Sequence, residues 1–141
     1  MRTRHRHRRA AAAAALSILV LLPAACTAGD EGVDPSAADW PTAVAPADAD
    51  GELWVVWTAV AEGTDDPALA TEVDRLGRLG YEVEPASAGC QTGAQEVLAG
   101  LTGFAEPTGV GVAFASEEDA GVFDTRDEGT TVSVTTGTWT C

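Results

Sequence analysis

Residues 52–61, Glu-Leu-Trp-Val-Val-Trp-Thr-Ala-Val-Ala, constrain the chain more than any other stretch. Leu53, Val55, Trp57 and Ala59 form one period-two set, and Trp54, Val56, Thr58 and Val60 form the other. Both sets are apolar, whereas a half-exposed strand alternates apolar with polar. Such a strand lies centrally with both faces covered, or leaves one apolar face open. The elements that follow therefore have to supply both strand neighbours and face covers.

Their order can be read from local signals. Thr64-Asp65-Asp66-Pro67 starts a helix, with Asp66 as N-cap and Pro67 in the first turn. Leu69, Val73, Leu76 and Leu79 fall near one face, and Glu72–Arg75 and Asp74–Arg78 have helix pair spacing. Gly80 fits the C-terminal cap, and Tyr81-Glu82-Val83-Glu84 reads as a short strand ended by Pro85. A loop carries Cys90. Thr92-Gly93-Ala94-Gln95 then has capping-box spacing ahead of a helix using Ala94, Val97, Leu98 and Leu101, with Gly100 and Gly103 near its end. Residues 109–115 read as a strand with Val110, Val112 and Phe114 on one side and Gly111, Ala113 and Ala115 on the other. Ser116-Glu117-Glu118-Asp119 caps a helix containing Ala120, Val122 and Phe123. Residues 130–141 form a Thr- and Val-rich closing strand, in which the phase change between Val132 or Val134 and Trp139 predicts a bulge at Gly137.

The expected order over 52–141 is β-α-β-(α)-β-α-β, a small α+β sandwich of ferredoxin-like type. A small α/β architecture with a parallel sheet is the alternative. A domain this size buries roughly two-thirds of its unfolded surface, enough for one modest core.

The chain ahead of this domain has a different character. Residues 1–9 contain five arginines and two histidines without an acid, and residues 10–22 are apolar apart from Ser17. A basic start, a short apolar run and small exit residues mark a secretory signal. The run is too short for a permanent transmembrane helix, which needs about 20 apolar residues. Leu22-Pro23-Ala24-Ala25-Cys26 resembles the lipid-attachment site of bacterial lipoproteins, with Pro23 standing where that family carries leucine. The resemblance implies a signal peptide over 1–25, lipid on Cys26, and an extracytoplasmic protein anchored to the bacterial cell membrane. Ordinary cleavage after Ala28 is the rival reading. Residues 26–51, rich in Ala, Asp and Pro, then read as a disordered tether in which Trp40 is the one bulky apolar residue. Asp48-Ala49-Asp50-Gly51 is similar to part of a calcium loop, but Trp57 occupies the position that needs glutamate.

With Cys26 assigned to lipid, Cys90 and Cys141 are left to pair in an oxidising compartment. In a ferredoxin-like sheet the second and fourth strands finish at opposite ends, so the pair forms only if 86–91 runs back along the sheet. A parallel sheet would bring the two strand ends together directly.

Processing would remove five of the eight basic residues and none of the 22 acids, leaving Arg75, Arg78 and Arg126 and a formal charge near −19. Nucleic acid and anionic headgroups are bound by clustered Lys or Arg, so this charge repels both and excludes nucleic acid as a partner. The processed chain has neither histidine nor lysine, which removes imidazole acid–base chemistry, Schiff bases and histidine metal ligation. A carboxylate-pair hydrolase is the enzymatic alternative, with Glu117, Glu118 and Asp119 as its candidate acids. A helix start attracts acids by electrostatics alone, however, and no sequence feature places a second carboxylate across a cleft from them. The expectation is a monomeric, non-catalytic envelope module without metal or cofactor.

Leu53–Val60 followed by a helix ending Leu79-Gly80-Tyr81, then Val110–Phe114 followed by Ser116–Ala120, resembles the SPOR domains of bacterial envelopes. Those domains bind peptidoglycan glycan on their sheet. The resemblance implies a cell-wall glycan or envelope protein as partner, with Trp54, Trp57 and Trp139 as stacking candidates. A core role is the competing expectation for these tryptophans.

Overall fold

The computed structural model describes residues 39–141, so the expected signal peptide and Cys26 lie outside the described residues. Its elements are β1 (Glu52–Ala61), α1 (Pro67–Arg78), β2 (Ala86–Ser87), α2 (Ala94–Thr102), β3 (Thr108–Phe114), α3 (Glu117–Arg126) and β4 (Ser133–Thr138). Together they form an α+β domain around one four-stranded sheet in the order β2-β3-β1-β4. Each neighbouring pair is antiparallel, which corrects the parallel alternative.

β1 is central, as its composition requires. Val56, Val110, Val112 and Phe114 face α1 and α3, forming a core with Leu69, Leu76, Ala120 and Phe123. Leu53, Val55, Trp57 and Ala113 face the opposite way and pack with Ala88, Ala94 and Leu98. The sheet therefore carries a core on each side, and the second is supplied by α2. A register shift between Trp57 and Ala59 interrupts the β1–β3 pairing. Side-chain parity changes there, so Ala59 and Ala61 join the α1/α3 side while Val60 joins the α2 side.

The expected bulge at Gly137 is absent, because Glu52–Trp57 pair with Thr138–Ser133 without a shift. Gly137 meets a different demand: a Cβ there would lie 2.3 Å from the Thr92 carbonyl oxygen. The strand expected over 81–84 also moves. Pairing starts only after Pro85, at Ala86 opposite Gly109 and Ser87 opposite Thr108. Tyr81 and Val83 still turn into the α1/α3 core without joining the ladder.

Most helix ends follow their local signals. The Asp66 carboxylate accepts from the Ala68 N–H at 2.8 Å, and Ser116 Oγ accepts from the Asp119 N–H at 3.1 Å. Gly80 has φ 95°, and the Tyr81 N–H closes onto the Leu76 carbonyl at 3.0 Å, a left-handed stop suited to glycine. The Thr92–Gln95 capping box does not form. Gly93 is the N-cap, the Thr92 hydroxyl turns to Thr138, and Gln95 reaches the Ala105 carbonyl.

Candidate functional site

The conspicuous geometry begins where β2 hands over to α2. Ser87 pairs with Thr108, which lies opposite Ala61 at one end of β1. Gln91 bridges Trp139, one residue beyond the Thr138–Glu52 pair at the other end. Residues 87–91 thus carry the chain diagonally back across the α2 face. That return lets Cys90 and Cys141 meet within an antiparallel sheet, as a disulfide with a Cα separation of 5.1 Å. Main-chain bonds flank it, from the Thr92 N–H to the Thr138 carbonyl at 3.0 Å and from the Thr140 N–H to the Cys90 carbonyl at 2.8 Å.

Gln91 occupies the middle of this face in a buried polar chain. The Trp57 indole N–H donates to Thr135 Oγ1 at 2.8 Å, and the Thr135 hydroxyl in turn donates to Gln91 Oε1. Gln91 Nε2 donates to the carbonyls of Leu53 at 3.0 Å and Thr135 at 3.3 Å. Two carbonyls can only accept, so the amide nitrogen must face them and its oxygen must face the hydroxyl. Every donor in the chain has an acceptor.

The opposite face holds a second network. Arg75 Nε donates to Glu72 at 2.9 Å, and Arg75 Nη1 and Nη2 engage Asp127 at 2.5 and 3.0 Å. The Asp127 side chain is fully buried, and the fork ties α1 to the chain leaving α3. Hydrogen bonding from Arg75 holds the Glu72 carboxyl below the usual carboxylate range, and the same bonds push the guanidinium up. Among the described residues, Asp74 and Arg78 take no part in this network.

The chain preceding β1 is docked on the domain. Trp40 packs edge-on against Tyr81 and Phe123, with centroids 6.2 and 5.9 Å away, and the Arg126 guanidinium lies 4.9 Å from its ring. The Tyr81 hydroxyl donates to the Pro41 carbonyl at 2.9 Å, and burial pushes its phenol up, keeping the donor protonated. The Val44 N–H donates to the Ala113 carbonyl at 2.9 Å on the flank of β3 that the short β2 leaves uncovered. The expected tether over 26–51 thus gives way, across 40–49, to packed chain. A groove of about 1430 Å³ runs between this segment and residues 80–86, with Gly111 in its floor.

The three candidate tryptophans do not form one platform. Trp57 is 1% exposed and committed to Thr135. Trp139 is half-buried on the same side, whereas Trp54 is half-buried at the margin of the α1/α3 side. Glu117, Glu118 and Asp119 occupy the first turn of α3, and Asp119 is drawn back to its own N-cap by Ser116. Among the described residues, no group of His, Cys, Asp and Glu is disposed to hold a metal ion. Among the same residues, no helix is long and apolar enough to cross a membrane.

Sequence reasoning did not single out Gln91 or Thr135. A lone glutamine in a loop and one threonine among many carry no local mark, and they meet only because the chain returns across the sheet. No known protein family matches the chain, and no characterised protein or solved structure is detectably similar to it.

Proposed function

We propose that the chain is a lipid-anchored, non-catalytic binding module of the bacterial envelope, held at the membrane through Cys26. The observation that carries this reading is how the polar side chains are used. Thr135, Gln91 and Trp57 consume one another's hydrogen bonds, and Arg75, Glu72 and Asp127 do the same. Groups so committed hold the fold, whereas catalytic acids and bases need free capacity toward a substrate.

The sheet order β2-β3-β1-β4, with antiparallel neighbours and α1 and α3 over one face, supports a ferredoxin-like arrangement to which α2 has been added. That addition weighs against glycan binding of the SPOR type. The face opposite α1 and α3 is packed under Ala88, Ala94 and Leu98, and Trp57 is buried there. A surface other than the sheet face then has to provide recognition.

The test follows the full chain and its Cys26→Ala variant through metabolic labelling with a fatty acid. The wild type is expected to carry label and stay with the membrane, and the variant to be unlabelled and released. Added from outside, the released protein should bind washed envelopes saturably. Label on the variant overturns the anchor, and the absence of saturable binding overturns the binding role.

A further inference from the structure

We propose that the outer edge of β4, at Val134 and Thr136, receives an extended strand from a basic envelope polypeptide, adding a fifth strand to the sheet. The inference rests on the reading of the domain as a binding module and names its recognition surface.

β4 has β1 on one flank only. On the other flank its backbone hydrogen bonding is confined to the far end, where Thr138 accepts from Thr92. Alternate residues of a strand direct their backbone groups to the same flank, so Val134 and Thr136 point outward with Thr138. The β3 side gives the same answer independently. Ala113 directs its carbonyl outward to Val44, which places the Val112–Val56 bonds inside the sheet and leaves Val55 facing Thr135. Thr135 therefore bonds inward, and its two neighbours bond outward. Among the described residues neither Val134 nor Thr136 has a hydrogen-bond partner on that flank.

Natural edge strands are guarded by charge, proline, a bulge or a covering element. β4 has none of these devices along this stretch. Its register against β1 is regular, and residues 129–141 contain no charged side chain and no proline. Val134 is 43% exposed, Thr136 and Thr138 are exposed, and the half-buried Trp54 lies opposite Thr136. An incoming strand thus meets outward N–H and C=O groups beside a β-branched surface.

The chemistry of the edge selects the occupant. Outward amides and carbonyls at ladder spacing match a polypeptide backbone and no sugar or acyl chain. The processed chain as a whole carries a net charge of about −19, which repels a second copy and favours a basic chain, an attraction that salt screens over roughly 8 Å.

The test uses the full mature chain, kept soluble by Cys26→Ser. The probes are a short synthetic peptide of alternating Thr and Val flanked by lysines, and its twin flanked by glutamates. The lysine peptide is expected to slow amide exchange at Val134 and Thr136 by about tenfold or more while leaving Gly111 unchanged. The glutamate twin should bind about tenfold more weakly, and the difference should collapse in high salt. Thr136→Pro removes an outward N–H and leaves the β1 ladder intact, while Val134→Lys places a charge on the edge; each should abolish the protection. The second substitution serves if the first disturbs folding.

Protection absent at both amides overturns the proposal, and equal binding of the two peptides overturns the basic partner. Concentration-dependent dimers that protect the same amides would make the occupant a second copy. Saturable envelope binding that survives both substitutions overturns the edge while leaving the binding role standing; envelopes that never bind the wild type overturn that role itself.

Discussion

Thr135 shows how much one hydroxyl can hold when it sits between two buried partners. It accepts from Trp57 and donates to Gln91. Replacing it with valine keeps the shape but strands an indole N–H and an amide oxygen, each costing about 1–3 kcal/mol when buried. Thr135→Val is therefore expected to lower stability by about 2–4 kcal/mol in denaturant titration, against less than about 0.5 kcal/mol for Thr136→Val one position along the exposed side. Equal effects at the two positions would show that the hydroxyl chain contributes nothing. Glu72 supplies a pH signature at the same scale. Its folded pKa is depressed, chiefly by its hydrogen bond from Arg75. The stabilisation is therefore present above the ordinary glutamate range and is lost as pH falls through the folded value. Melting temperatures taken across the acid range should show the wild type and Glu72→Gln converging toward low pH; a constant gap would contradict the assignment.

At the scale of elements, what could be read ahead was what is local. The Asp66 and Ser116 caps, the glycine stop at Gly80 and the two apolar sets of β1 depend on neighbours within a few residues. The features that escaped are set across long separations. The Thr58 irregularity depends on β3, where its hydroxyl donates to the Val110 carbonyl, and Gly137 depends on the Thr92 carbonyl. The diverted capping box at Thr92 has the same cause, since Thr138 offers its hydroxyl a competing partner. Of the candidate site residues, the cysteine pair was legible from parity once Cys26 was set aside, and the tryptophans were legible only as large aromatics. Gly137→Ala tests the close approach. Its Cβ would collide with backbone, so α2 or β4 must shift, at a cost of about 1–3 kcal/mol by thermal or chemical unfolding. An unchanged midpoint would mean that the Thr92 turn gives way freely. Trp40→Ala examines the docked segment and should lower stability by about 1–2 kcal/mol through lost aromatic and cation–π contact. It should also speed amide exchange at Val44, whereas unaltered exchange there would show that Trp40 does not hold the segment down.

On the scale of the whole molecule, the disulfide closes a span of 51 residues containing α2, β3, α3 and β4. In the chain-entropy account a loop of that length is worth about 4 kcal/mol. Reduction is expected to cost less than that while Gln91, Thr92 and Thr140 still hold the same ends together, and denaturant midpoints of the oxidised and reduced protein measure the difference. A loss well above that value would assign the junction to the covalent bond alone. The position of β1 also sets an order of events. Trp57 and Thr135 are 78 residues apart, and both neighbours of β1 come from later in the chain. A chain delivered from its N-terminal end presents its most apolar strand early, yet cannot flank it on both sides until 133–138 have followed. The interval before 133–138 arrive is therefore when the protein is most prone to clump, and on the proposed export a holding factor on the far side of the membrane would have one segment above all to shield: 52–61.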